Sequence, residues 1–250
     1  MPSSNCKRQN KGSLSANIYS IQSPDIRVII PALNEQNAVG KVIDEISTDL
    51  VSEVIVVDNG SHDSTYEVAK QSGATALKEP IKGYGKACLL GIQYLVDQKI
   101  QPDIIVFLDG DYSDYPDEII ELVKPILDHK ADLVIGSRAL GQKEKGSMTP
   151  QQVFGNWLAT SLMRFFFQTT YTDLGPFRAI GWPQLLSLGM EDTNYGWTVE
   201  MQIKAAKKGL KTLDVPVNYR RRIGVSKVSG TVKGTIMAGY KILWTIFKYR

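Results

Sequence analysis

The sequence predicts an α/β fold, with a mainly parallel, Rossmann-like sheet and helices on both of its faces. Three observations predict it. Short apolar runs bounded by turn residues recur through residues 26–140, as buried strands do. Stretches with helical spacing separate them. Polar clusters close several of these runs, and open parallel sheets bind ligands beyond the carboxyl ends of their strands.

The elements follow in order. "IRVIIPALNE" opens with an apolar run, Ile26 to Ile30, stopped by Pro31. "NEQNAVGKVIDEIS" places Val39, Val42, Ile43 and Ile46 at helical spacing, with Asn34 as the expected N-cap. "SEVIVVDNGSHDST" is a second buried strand, and "STYEVAKQSG" a helix ending at Gly73, capped by Ser61 or Asp63. "ATALKEP" is a weaker strand, and two glycines lead into the helix "GYGKACLLGIQYLVD". "DIIVFLDGD" is the third strong strand, Pro116 opens the helix "YPDEIIELVKPILDHK", and "ADLVIGSR" is a further strand. Strand and helix alternate up to this point, the pattern of a parallel sheet covered on both sides.

The second half is less regular. "PQQVFGNWLATSLMRFFFQ" reads as a long apolar helix, "TDLGPFRAI" as a strand carrying a turn, and "TVEMQIKAAKKG" as a helix. "KTLDVPVNYR" is a late strand whose proline suits a sheet edge. The last helix puts Val232, Ile236, Tyr240, Leu243 and Phe247 on one stripe. Residues 1–24 read as a polar, disordered leader, 25–227 as one folded unit, and 228–250 as a C-terminal amphipathic helix.

Composition narrows the classes. Hydrophobic residues make up 43% of the 250 residues and charged residues 22%, an ordinary globular mixture. No stretch reaches the roughly 18 apolar residues of a membrane span, and the first residues lack the apolar core of a signal peptide. Cys6 and Cys88 form neither a disulfide framework nor a zinc spacing. A cytoplasmic location fits, either free or peripheral on the cytoplasmic face of a membrane. The net charge is only +3, yet eight Lys or Arg and no acid lie between Asn218 and Arg250. That end suits an anionic partner or is a solvated basic tail.

The strand-end clusters carry the chemistry. Asp109 and Asp111 end the third strong strand with Gly110 between them. Two carboxylates so close repel one another, and a divalent cation such as Mg²⁺ or Mn²⁺ removes that penalty while sharing its coordination with substrate phosphates. Turn and cap roles are the competing reading for aspartates here. Asp58 ends the second strand, either to meet a base or ribose or to close a turn. "KGYGKA" sets Lys82 and Lys86 around two glycines at a helix start, where backbone N–H groups hold anions. It is not a Walker P-loop. Ser137 has no visible histidine partner, which sets aside a serine hydrolase triad.

In this order, "VIIPALNE", "VIVVDNGSHDST", "GYGKA", "FLDGDYSDYP" and "GSR" resemble family 2 glycosyltransferases of the GT-A fold. The late "RRRIGVSKVSG" is similar to the R-x-x-G-x-S-K segment of polyprenyl-phosphate sugar synthases, such as dolichol-phosphate mannose synthase. The resemblance runs from about Ile26 to Gly230 and makes residues 25–227 a GT-A catalytic domain. It implies that Pro31, Ala32, Leu33 and Glu35 line the nucleotide pocket, that Asp58 meets the base, and that Lys86 lies near the nucleotide or phosphate. It implies a metal and ribose site at Asp109 and Asp111, with Arg138 reaching toward phosphate. Arg222, Ser226 and Lys227 would clamp phosphates from a loop.

Asp173 and Glu200 are the candidate bases, and Arg178 is a candidate for an acceptor anion. The run Tyr112-Ser113-Asp114-Tyr115-Pro116 departs from the family pattern, which leaves the third metal ligand open between Ser113 and Asp114. The implied partners are a nucleotide-sugar donor and a lipid-phosphate or other anionic acceptor, with an anionic membrane surface and a second copy of the chain as further candidates. A soluble acceptor and a non-catalytic nucleotide-binding protein are the alternatives. A nucleic-acid partner lacks any binding motif beyond the basic end.

Overall fold

The computed structural model describes residues 23–226 and 232–250. Most of the expected leader, and Lys227, lie outside the described residues. The seven strands are β1 (Ile26–Ala32), β2 (Glu53–Asp58), β3 (Thr75–Lys78), β4 (Ile104–Phe107), β5 (Leu133–Ser137), β6 (Arg178–Gly181) and β7 (Thr212–Pro216). They form one sheet in the order β3-β2-β1-β4-β6-β5-β7. All neighbours are parallel except β6, which runs against both β4 and β5. From β1 the chain steps outward to β2 and β3, then returns to place β4 on the other side of β1. The crevice between the ends of β1 and β4 is therefore a topological switch point.

Helices α1 (Val39–Asp44), α2 (Thr65–Gln71) and α4 (Ile119–Leu127) cover one face of the sheet. The other face carries α3 (Tyr84–Val96), α5 (Pro150–Phe167), α6 (Trp182–Leu188), α7 (Trp197–Lys207) and α8 (Val232–Lys248). Alternate residues of β1 serve the two layers: Val28 and Ile30 pack with the first group, Ile29 with the second. A strand buried on both sides is mostly apolar, which is why β4 is a continuous apolar run and β1 is one apart from Arg27, whose guanidinium pairs with Asp25 and Glu53. Gly91 lets α3 lie flush on β1, since a Cβ there would meet the Ile29 side chain at 2.8 Å.

Three expectations change. Asn34 caps no helix: α1 begins at Val39, and Asn34 sits in the left-handed region at φ 54°. Its backbone N–H donates to Ser61 Oγ and its Oδ1 accepts from the His62 N–H, each at 2.8 Å, so it ties the β1 loop to the β2 loop. Helix α6, unassigned from the sequence, follows β6 without a loop and carries Pro183 in its first turn. The stripe read on α8 is not its packing face. Ile242, Thr245, Ile246 and Tyr249 turn toward the body, whereas Ile236, Tyr240 and Phe247 are largely exposed. The late strand stands as read, with β7 at the sheet edge and Pro216 as its last residue.

Candidate active site

A cavity of about 420 Å³ opens over the switch point. Its floor is the end of β1, Pro31 and Ala32, continued by Leu33, Asn34 and Glu35. Asp109, Gly110 and Asp111 beyond β4 form one side, and Asn59 with Lys82, Gly83 and Tyr84 another. Asn194, Tyr195, Arg222 and Ser226 complete it from the second half of the chain.

The acidic side is unevenly neutralised. Asp111 Oδ1 accepts from the N–H and hydroxyl of Ser113 at 2.9 and 2.5 Å, and its Oδ2 pairs with Arg222 Nη1 at 3.0 Å. Arg222 Nη2 also donates to Glu35 Oε1 at 2.7 Å. One guanidinium thus bridges two carboxylates. Asp109 accepts only from the Tyr84 hydroxyl at 3.1 Å among the contacts resolved for it. Burial and the neighbouring Asp111 charge push its carboxyl up to about 7. Asp114 is 2% exposed, and neither of its oxygens has a hydrogen-bond partner among the described residues. Burial and the charges of Asp109 and Asp111 raise its carboxyl well above the usual range.

Arg222 is delivered by its neighbours. The Arg220 N–H donates to Ser113 O and the Ile223 N–H to Asp111 O, so residues 220–223 run alongside the acidic turn. The Arg220 guanidinium lies 3.3 Å from the Tyr112 ring centre and 4.4 Å from that of Tyr115, and pairs with Glu45 at 2.7 Å. Tyr112 itself is left-handed, at φ 69°. Gly110 lets the acidic turn lie close to β1, since a Cβ there would stand 3.3 Å from both Ala32 and Ile30.

Several predicted residues lie elsewhere. Asp173 is fully buried, and both its oxygens face Arg138, at 2.8 Å from Nε and 2.7 Å from Nη2, with the Arg138 N–H also at 2.8 Å. Burial alone would raise its carboxyl, but Arg138 holds it below the usual range. Glu200 is also fully buried. It accepts from Lys204, from the Tyr249 hydroxyl and from the backbone of Glu191 and Asp192. Neither carboxylate is among the residues that line the cavity. Arg178 is buried and donates to the carbonyls of Thr198, Leu174 and Gly175. Asp58 accepts from the Ser61 N–H at 3.1 Å, the turn-closing alternative, and it and Lys86 lie outside the lining.

Asn59, Tyr84, Asn194 and Tyr195 were not anticipated. Asn59 is a clamp: its Oδ1 accepts from the Gly83 N–H at 2.6 Å, while its Nδ2 donates to Ile81 O at 3.0 Å. Asn194 and Tyr195 arrive because residues 192–193 pack backbone to backbone on the "GYG" turn. A Cβ on Gly83 would stand 2.2 Å from Thr193 O, and one on Gly85 1.9 Å from Asp192 O. The paired glycines were the available signal, since glycine admits close backbone approach.

Residues 27–183 match the model of the family described as Glycosyl transferase family 2. The chain belongs to that family. It is 32% identical over 221 residues to an uncharacterized glycosyltransferase of Mycobacterium tuberculosis, covering 85% of this chain and 94% of the relative. It is 28% identical over 244 residues to the UDP-N-acetylglucosamine–dolichyl-phosphate N-acetylglucosaminyltransferase of Methanococcus voltae, covering 88% and 94%. Among solved structures, glucosyl-3-phosphoglycerate synthase from Mycobacterium tuberculosis with Mn²⁺, UDP-glucose and phosphoglyceric acid superposes with a TM-score of 0.71. That pair is 26% identical, over 90% of this chain and 79% of the other. The fold is the GT-A type, and the protein is a family 2 glycosyltransferase.

The acidic side fits a divalent cation. It offers carboxylate oxygens, its negative charge exceeds what Arg222 neutralises, and the bridging guanidinium already marks a place where positive charge is favourable. Among the described residues no three His, Cys, Asp or Glu side chains converge on one point. Asp109 and Asp111 are the carboxylates that would hold it, and donor phosphate oxygens would complete its coordination. In the family's chemistry such a cation supplies positive charge to a leaving diphosphate.

Proposed function

We propose that the protein transfers a sugar from a UDP- or GDP-linked donor to a phosphate-bearing, lipid-linked acceptor, with Mg²⁺ or Mn²⁺ held by Asp109 and Asp111 and with inversion at the anomeric carbon. The observation that carries this reading is the cavity itself, with Asp109, Asp111 and Glu35 facing Arg222 at the switch point. As a sugar leaves a nucleoside diphosphate, negative charge grows on the diphosphate. A guanidinium fixed in a low-dielectric cavity stabilises that charge more than it stabilises the ground state. Arg222 is the resident cation in position to do so, and Ser226 lies beside it on the cavity wall. Lys227, from the same segment, is proposed as its companion.

The state of the candidate bases bears on the acceptor. Asp173 and Glu200 are saturated by partners. An acceptor hydroxyl needs a base to take its proton, whereas a phosphate acceptor is already anionic and needs none. A lipid tail is supported by two neighbouring helices. Phe154, Trp157 and Phe165 on α5, and Tyr240, Trp244 and Phe247 on α8, are all about half exposed or more. Lys248 and Arg250 follow them, and aromatic side chains with basic neighbours suit an anionic membrane surface. No helix of the described residues is long and apolar enough to cross a membrane, so the contact proposed is peripheral.

A second reading, a small phosphorylated acid as acceptor, is favoured by the likeness to the phosphoglyceric acid complex. Incubation with radiolabelled UDP- or GDP-sugar and Mn²⁺ separates the two. Label that enters the organic phase only when polyprenyl phosphate is present supports the lipid acceptor. Label that stays aqueous and follows added phosphorylated acids supports the second reading. No transfer to either overturns both.

A further inference from the structure

Helix α8 touches the body where the cavity wall is built. Asp192 is the joint. Its Oδ1 accepts from the backbone of Asn194 at 2.8 Å and of Gly196 at 3.2 Å, which folds residues 192–196 into a tight turn. Its Oδ2 pairs with Lys241 of α8 at 2.9 Å. Behind it, Glu200 accepts from the N–H of Asp192 at 2.7 Å and of Glu191 at 3.1 Å, and from Tyr249 Oη at 2.8 Å. Gly196 admits no side chain, since a Cβ there would stand 2.4 Å from Asp192 Oδ2 and 2.5 Å from Thr245 Oγ1 of α8. On its far side the turn meets the nucleotide half, with Thr193 O accepting from the Lys86 N–H at 3.1 Å. The turn exposes Asn194 and Tyr195 to the cavity.

We infer that Lys241 and Tyr249 are positioning residues for the donor: through Asp192 and Glu200 they hold the 192–196 turn so that Asn194 and Tyr195 face the nucleotide sugar. The inference rests on the reading that the cavity takes such a donor. It assigns a task to Glu200 other than proton transfer. A fully buried carboxylate with four donors stabilises one backbone geometry, because moving that backbone would strand the charge. It also makes α8 part of the site although none of its residues is among the described residues that line the cavity.

The test uses the full chain, with UDP-glucose and GDP-mannose as probes, each with Mn²⁺, read by calorimetry and by steady-state kinetics. Lys241→Met is expected to weaken binding of the preferred probe about fivefold, the scale of losing one partly exposed ion pair. Donor KM rises with kcat nearly unchanged, and Lys241→Arg restores the wild-type value. Tyr249→Phe, which keeps the ring and loses only the hydroxyl, shifts KM in the same direction and remains informative should Lys241→Met fail to fold. Wild-type donor affinity in both Lys241→Met and Tyr249→Phe overturns the inference while leaving the donor reading intact. A wild-type chain that binds neither probe overturns the donor reading and this inference with it.

Discussion

Two sets of largely buried acids, Asp173 with Glu200 and Asp109 with Asp111 and Asp114, differ in one respect. Asp173 and Glu200 have permanent cations and several donors each. Asp109 and Asp114 have no cation in hydrogen-bonding contact among the described residues, and Asp111 shares one arginine with Glu35. Burying an ion costs several kcal/mol unless it is paired, so the first set stabilises the fold as it stands. The second is tolerable only because charge is withheld, carboxyl groups rising toward neutrality, or supplied by something that binds. Saturation by partners suits a structural role and a deficit of partners suits a binding role, even where residue type and depth are alike.

The largest expected effect comes from breaking the saturated set. Asp173→Asn leaves Arg138 buried without its counter-ion and is expected to cost about 3–5 kcal/mol, which lowers the melting temperature by on the order of 10 °C. Its pH dependence has a definite sign. The Asp173 carboxyl lies below its ordinary value in the folded state, so its contribution is present above the unfolded value near 4 and fades as pH falls through the folded one. Melting curves of the wild type and Asp173→Asn should therefore converge in acid. Curves that stay parallel would mean the pair is not what stabilises this corner.

Next in size is Asp111→Asn. Turnover should fall about 10²–10³-fold, the range for losing one preorganised electrostatic contact. The melting temperature should hold or rise, because repulsion with Asp109 and Asp114 is relieved. Loss of stability on the scale of Asp173→Asn would abolish the distinction between the two sets.

How much of this the sequence makes legible follows from which interactions are local. β1, β2 and β4 are short, mainly apolar runs, so their burial is readable, and residues just beyond β1 and β4 line the cavity. Asp109 and Asp111 are read that way, Glu35 through the resemblance, and all three line the cavity. Arg222 and Ser226 came only through the resemblance, and the structure brings both to the lining. The roles of Asp173, Glu200 and Arg178 were not legible, because a carboxylate in an apolar segment looks the same whether a cation waits beside it or not. For Asp173 that depends on Arg138, 35 residues away in sequence; Glu200 has Lys204 one turn on in the same helix, and what is distant there is the Tyr249 hydroxyl, 49 residues away. Asn194 and Tyr195 reach the cavity through backbone packing of two distant turns, which no periodicity records. Asn34 misled because a polar residue before an apolar helix suits a cap and a left-handed turn equally well.

The smallest expected effect lies between the two sets, at Arg220. Its guanidinium is saturated like Arg138, by Glu45, Tyr112 O and two aromatic rings. Yet it holds the strand of backbone that carries Arg222 to Asp111. Arg220→Lys keeps the charge near Glu45 but gives up planar stacking and the Nε bond, a loss of roughly 0.5–1 kcal/mol for a partly exposed cation over an aromatic face. If Arg220 is scaffold, the melting temperature falls by about 1–4 °C and turnover changes by no more than the same energy, about two- to fivefold. A drop in turnover approaching that of Asp111→Asn, with the melting temperature unchanged, would place Arg220 in the site. Saturation by neighbours would then not be enough to mark a residue as scaffold.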